Sequence, residues 1–263
     1  MFLFIIIVKI ENSPAIYRFA MSEPIFLQGP AGQLEVFVDY PQGEVKGFAI
    51  VCHPHPLQGG TPQHKVPVLL AQMFLERGCI VYRPSFRGSG QSAGLHDEGF
   101  GETDDILEVI KYARRQHIDL PFLAGGFSFG AHVMAKCYAA LPVELQPSKV
   151  ILCGLPTATV AGLRHYVTPQ IKGDILFIHG EADDVTLLSD MIEWAKPQRH
   201  LVTILPGANH FFTGYLKQLR IAMSRFLALS GSKKTSSNDE VFLFRNKIFS
   251  MNFINYSPIF RFI

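Results

Sequence analysis

A serine framed by glycines, Gly126-Phe127-Ser128-Phe129-Gly130, is the segment of this 263-residue chain whose residue types point most directly to chemistry. Glycines at those positions permit a strand-to-helix turn too tight for side chains, and such a turn thrusts the serine outward on a strained backbone. The run Phe122 to Gly125 before it reads as a buried strand, and Ser128 to Leu141 after it as a helix. That context strengthens an otherwise weak G-x-S-x-G match; the bland alternative is a glycine-rich turn with a helix-capping serine. A serine hydroxyl is a poor nucleophile near neutral pH, so it needs a general base and a carboxylate to orient that base. Both residue types follow in order. The run Asp174 to His179 leads into Gly180-Glu181-Ala182-Asp183-Asp184-Val185, and Leu201 to Leu205 leads into Pro206-Gly207-Ala208-Asn209-His210-Phe211-Phe212.

For those loops to meet, strands and helices must alternate between them. Leu34 to Tyr40, Gly47 to Cys52 and Cys79 to Arg83 read as strands, with a helix over Lys65 to Arg77 closed by Gly78. Glu102 to Arg115 reads as helix, Lys149 to Cys153 and Ile175 to His179 as strands, and Leu187 to Lys196 and Tyr215 to Leu229 as helices. Gly47 to Cys52 is apolar without alternation, as a strand buried on both faces must be. Strands alternating with helices predict an α/β architecture: a mostly parallel, twisted sheet with right-handed crossovers and helices on both faces. Loops at the carboxyl ends of parallel strands share one edge of the sheet, so the serine, a carboxylate and the imidazole can converge there.

Taken in order, GFSFG, HGEADDVT and PGANHFF resemble the α/β-hydrolase superfamily. HPHPLQGGT at 53–61 and RPSFRGSGQSAG at 83–94 are similar to a small hydrolase branch related to dienelactone hydrolases and prolyl-oligopeptidase catalytic domains. The resemblance spans about residues 24–228. It implies the α/β-hydrolase fold, with Ser128 as nucleophile, Asp183 as acid and His210 as base. Asp184 competes for the acid role; Asp183 is preferred because the superfamily sets the acid four residues after a strand-end histidine, here His179. The resemblance further implies an oxyanion hole built from the backbone N–H of Phe129 and one from the loop after the third strand. Pro54 and Pro56 have no N–H, which leaves His55 or Leu57 and the residues just after it, with Leu57 preferred.

His53 and His55 invite a metal reading, but no Cys, Asp or Glu at ligand spacing accompanies them, so no metal is expected. The other histidines, His64, His96, His117, His132, His165 and His200, show no partner pattern and read as surface or packing residues. Arg87-Gly88-Ser89-Gly90 could line the site or bind an acidic group, and lacks the spacing of a dinucleotide loop. Between Cys153 and Asp174 lie about twenty residues, too few for the helical cap that many such hydrolases carry, so no cap domain and an open site are expected. The reading is a serine esterase of the carboxylesterase kind (EC 3.1.1) acting on small or accessible esters without a cofactor. A thioesterase with the same three residues and a non-catalytic binding protein of the same fold are the alternatives.

Composition bounds the remainder. The chain has 24 Lys+Arg against 22 Asp+Glu, with basic residues at most in pairs, so nothing marks a nucleic-acid partner. The longest apolar run, Phe2 to Val8, is seven residues, against the ~20 that a spanning helix needs. No basic stretch precedes it, so export is not expected and a cytoplasmic location is. Cys52, Cys79, Cys137 and Cys153 form no CxxC and read as buried free thiols. Residues 1–20 read as an extension outside the fold and 21–230 as the hydrolase domain. Residues 231–263, a polar linker followed by a segment with six phenylalanines, read as a second extension. The oligomeric state has no signal.

Overall fold

The computed structural model describes residues 24–160, 162 and 164–229, together with the backbone of 5–6 and 19–20. Ile5–Ile6 and Phe19–Ala20 pair antiparallel with each other, apart from the main sheet. The remainder of the expected N-terminal extension, and all of 231–263, lie outside the described residues.

Numbering only the strands of the main sheet, the elements are β1 (Ile25–Gly29), β2 (Gly32–Asp39), β3 (Gly47–Cys52), α1 (Lys65–Leu75), β4 (Cys79–Pro84), α2 (Phe100–Gln116) and β5 (Phe122–Phe127). There follow α3 (Phe129–Ala140), β6 (Lys149–Cys153), β7 (Ile175–Gly180), α4 (Leu188–Ala195), β8 (Val202–Leu205) and α5 (Leu216–Ala228). The strand order is β8-β7-β6-β5-β3-β4-β2-β1. Strands β3 to β8 are parallel, while β2 joins β4 and β1 joins β2 antiparallel. The fold is an α/β-hydrolase sheet, mostly parallel, with helices on both faces.

The unbroken apolar strands are explained by a core on each side of the sheet. Phe48, Ile50 and Cys52 of β3 enter one core with Ile106, Val109 and Ile110 of α2. Their neighbours Ala49 and Val51 enter the other, with Leu70 and Phe74 of α1 and Leu219 and Met223 of α5. Strand β6 divides likewise, Val150 and Leu152 against Ile151 and Cys153. A period-2 backbone between two helical layers needs apolar residues at every position, which is the pattern observed. All four cysteines are buried free thiols, and burial pushes the Cys79 thiol up to about 11.

Two histidines are carried in this interior. His53 is fully buried and His132 nearly so, and burial lowers each imidazole to about 3 from the usual 6.5. A histidine whose folded pKa is depressed contributes stability above its unfolded pKa, and that contribution is lost as pH falls from 6.5 toward 3. The unfolding free energy should therefore drop by roughly 3 kcal/mol per pH unit from these two groups in the middle of that window. Urea unfolding followed at a series of pH values tests this. A slope below one proton there would contradict it.

Candidate active site

The backbone sets up the serine before any side chain acts. Strand β5 ends at Phe127 and α3 begins at Phe129, so the chain reverses within Ser128, whose φ of 55° and ψ of −124° lie in a region that L-residues rarely adopt. The Ser128 N–H donates to the Cys153 carbonyl at 2.9 Å, anchoring the turn to β6. A Cβ on Gly126 would sit 2.4 Å from the Gly130 carbonyl oxygen, and one on Gly130 would sit 2.4 Å from those of both Cys52 and His53. Each obstacle is backbone in a close-packed sheet and cannot step aside. Gly130→Ala is therefore expected to cost about 3 kcal/mol or more, read from the urea midpoint; a near-neutral result would contradict the packing described.

Two further strand-end loops reach the serine. His210, from the loop after β8, is buried against the Phe127 ring with centroids 5.1 Å apart. Its Nε2 lies 2.9 Å from Ser128 Oγ and its Nδ1 lies 2.8 Å from Asp183 Oδ2. A carboxylate only accepts, so Nδ1 carries the ring proton and Nε2 is free to accept from the serine hydroxyl. Asp183, from the loop after β7, is buried and carries that bond, whereas Asp184 beside it is exposed. The loops are pinned together: Ala182 N–H donates to Ala208 O at 3.0 Å, and a Cβ on Gly180 would lie 2.3 Å from that oxygen.

Thr186, which the sequence reading did not single out, completes the carboxylate's shell. Its N–H and that of Val185 donate to Asp183 Oδ1 at 2.8 and 3.0 Å, and its hydroxyl donates to Oδ2 at 2.8 Å. Burial alone would raise the Asp183 pKa; the His210 hydrogen bond and charge and the Thr186 amide outweigh it, so the group is held below the usual carboxylate range. The signal in sequence was a D-x-x-T spacing, the local turn in which a side chain caps backbone donors. His179, at the end of β7, donates Nε2–H to the Thr186 carbonyl at 2.6 Å and so braces the same turn.

The loop after β3 forms the facing wall. His53 uses both ring nitrogens on backbone, donating Nδ1–H to Pro54 O at 2.7 Å and accepting the Phe86 N–H at Nε2 at 2.9 Å. No lone pair remains for a metal. The loop curls tightly, with the N–H groups of Gln58 and Gly60 both on His55 O. Among the described residues, the N–H groups of His55, Leu57 and Phe129 have no acceptor. His55 lines the cleft above Ser128 with Gly60, His64, Arg164, Tyr166 and Phe211, whereas the Leu57 side chain is 70% exposed and lies outside it.

Several of the histidines read as surface or packing residues have polar neighbours. His96 Nδ1 lies 2.8 Å from Glu102 Oε1, His132 pairs with Thr168 Oγ1 at 2.7 Å, and His117 with the Tyr82 hydroxyl at 2.9 Å. Arg87 does not line the cleft; it forms a two-point pair with Asp105 at 2.7 and 2.8 Å, which ties the loop after β4 to α2. Between β6 and β7 the described residues form only a two-residue hairpin, Thr159–Val160 with Arg164–His165, and no helix.

No known family model matches the chain. It is similar to XC6422 from Xanthomonas campestris, a member of the α/β serine hydrolases without a lid, at 34% identity and a TM-score of 0.68, covering 78% of this chain and 92% of that one. An α/β serine hydrolase homologue from Coxiella burnetii is 33% identical with a TM-score of 0.70, covering 79% and 98%. The uncharacterized protein RP471 of Rickettsia prowazekii is 27% identical over 211 residues, 77% of this chain and 87% of that protein.

Proposed function

The chain belongs to the α/β-hydrolase superfamily, beside serine hydrolases without a lid, and from that membership we propose that it cleaves small or accessible carboxylic esters through an acyl-enzyme on Ser128. The observation that carries this is the series Ser128 Oγ, His210, Asp183, joined at 2.9 and 2.8 Å on a serine held at positive φ.

In this reading Ser128 Oγ attacks the ester carbonyl as His210 Nε2 takes its proton, and the imidazolium that forms lies against the Asp183 carboxylate. The tetrahedral oxyanion is met by the Phe129 N–H at the start of α3, where the helix dipole also favours negative charge. For the second donor the reading favours His55 over Leu57, since His55 lines the cleft. Each such donor is typically worth ~3 to 4 kcal/mol. His210 then gives its proton to the departing alcohol, accepts one from water as the water attacks the acyl carbonyl, and returns it to Ser128 as the acid leaves.

Among the described residues no cap covers the cleft, so long acyl chains gain no enclosing apolar wall there. Hydrolysis of p-nitrophenyl acetate, butyrate and octanoate by the full chain is expected to be fastest with the two shorter esters. A rate that climbs to octanoate would contradict the open-site reading, and no turnover of any of them would contradict the ester reading.

A further inference from the structure

We propose that Arg164 makes the cleft a receptor for esters that carry a second, anionic carboxylate, so that the preferred substrate is a monoester of a dicarboxylic acid or a similarly charged ester. This inference rests on the serine-hydrolase reading of the same cleft and adds the chemical class of its substrate.

Three observations converge. First, Arg164 is the residue of permanent charge among those that line the cleft, and no Asp or Glu among the described residues lines it. Second, its guanidinium makes no ion pair and no side-chain hydrogen bond among the described residues. By contrast, Arg83 is paired with Asp39 at 2.6 Å and Arg87 with Asp105 at 2.7 Å. Third, His55 on the same cleft is 8% exposed and its Nδ1 is buried with no hydrogen-bond partner. The guanidinium of this half-buried residue, unmatched by any carboxylate among the described residues, offers the forked N–H donors that a carboxylate accepts from at two points, and the neighbouring His55 ring brings no competing negative charge.

Position supports the same ligand. Arg164 stands on the hairpin between β6 and β7, where its backbone pairs with Val160 and Thr159 Oγ1 meets His165 Nδ1 at 2.9 Å. It shares the cleft with Ser128 and His210, and its charge reaches the His55 ring, adding to burial and to His96 in keeping that imidazole neutral. An ester carbonyl at Ser128 therefore places the rest of a short substrate in a cleft that a cation lines.

The test compares ethyl hydrogen glutarate with its neutral amide, ethyl glutaramate, by ethanol release from the full chain. The wild type is expected to show a kcat/KM ratio of acid over amide of at least about tenfold. Arg164→Ala should lower that ratio by about tenfold, and Arg164→Lys should retain part of it, since the charge persists while the planar fork is lost. A ratio taken within one sample is independent of the fraction folded. A wild-type ratio near one, or the same ratio in Arg164→Ala, would overturn the proposal. If neither ester is cleaved, the ester reading fails separately. The anion site is then read by whether free glutarate slows labelling of Ser128 by a fluorophosphonate. Protection lost in Arg164→Ala supports the site, and absence of protection in the wild type overturns it.

Discussion

Ser128→Ala is expected to lower kcat on p-nitrophenyl butyrate by about 10⁴-fold or more, leaving only what donors and binding supply. The fold should survive. Among the described residues the serine side chain makes one hydrogen bond, to His210, and alanine can occupy the same backbone conformation. Retention of more than about 1% of wild-type kcat in a variant with an unchanged unfolding midpoint would remove Ser128 from the chemistry.

The second large effect is expected at Asp183, and its mechanism is visible in the hydrogen bonds. Oδ1 is fixed as an acceptor by the Val185 and Thr186 N–H groups. In Asp183→Asn the amide oxygen must take that place, which turns the NH₂ group toward His210 Nδ1. The imidazole then has to accept at Nδ1 and carry its proton on Nε2, the wrong tautomer to receive the Ser128 proton. A fall in kcat of about 10³ to 10⁴-fold is expected. Asp184→Asn, whose carboxylate is exposed and away from the imidazole, should stay within about twofold. Steady-state kinetics on the two variants checks this, and the reverse ranking would transfer the role to Asp184.

Much of this was legible because local pattern and global fold agree. The unbroken apolar runs of β3 and β6 followed from burial on two faces, and their ends, Cys52 and Cys153, are those read from sequence. The glycines around Ser128 were readable because a Cβ at Gly126 or Gly130 strikes backbone. Strand β1 was not readable. Ile25–Gly29 alternates in burial, but the apolar Phe26 stands on its exposed face, as an edge strand allows, so the sequence shows no alternation. The shell around Asp183 was half legible: the aspartate lay in an expected loop, but Thr186 acts through turn geometry that periodicity does not report. His132 with Thr168, and Arg164 beside His55, are tertiary neighbours from separate segments, so no spacing rule could have joined them. His96 and Glu102 are close in sequence, yet their pairing depends on how the segment around Gly99 turns into α2.

These features also share one physical cause. Carboxyl ends of β3, β5, β7 and β8 lie on the same edge of the sheet, with β3 flanked by β4 on one side and β5 on the other, where the strand order reverses. Such a reversal opens a crevice between diverging connections. The His55 loop and the Ser128 turn leave from strands on that crevice, while the Asp183 and His210 loops lean in from β7 and β8.

The most direct test of the central claim is to treat the full chain with a fluorophosphonate and map the adduct by peptide mass spectrometry. The account predicts one adduct per chain, on Ser128, formed much more slowly when Asp183 is replaced by asparagine. A chain that stays unmodified, or one labelled on another serine at the same rate in both proteins, would contradict it.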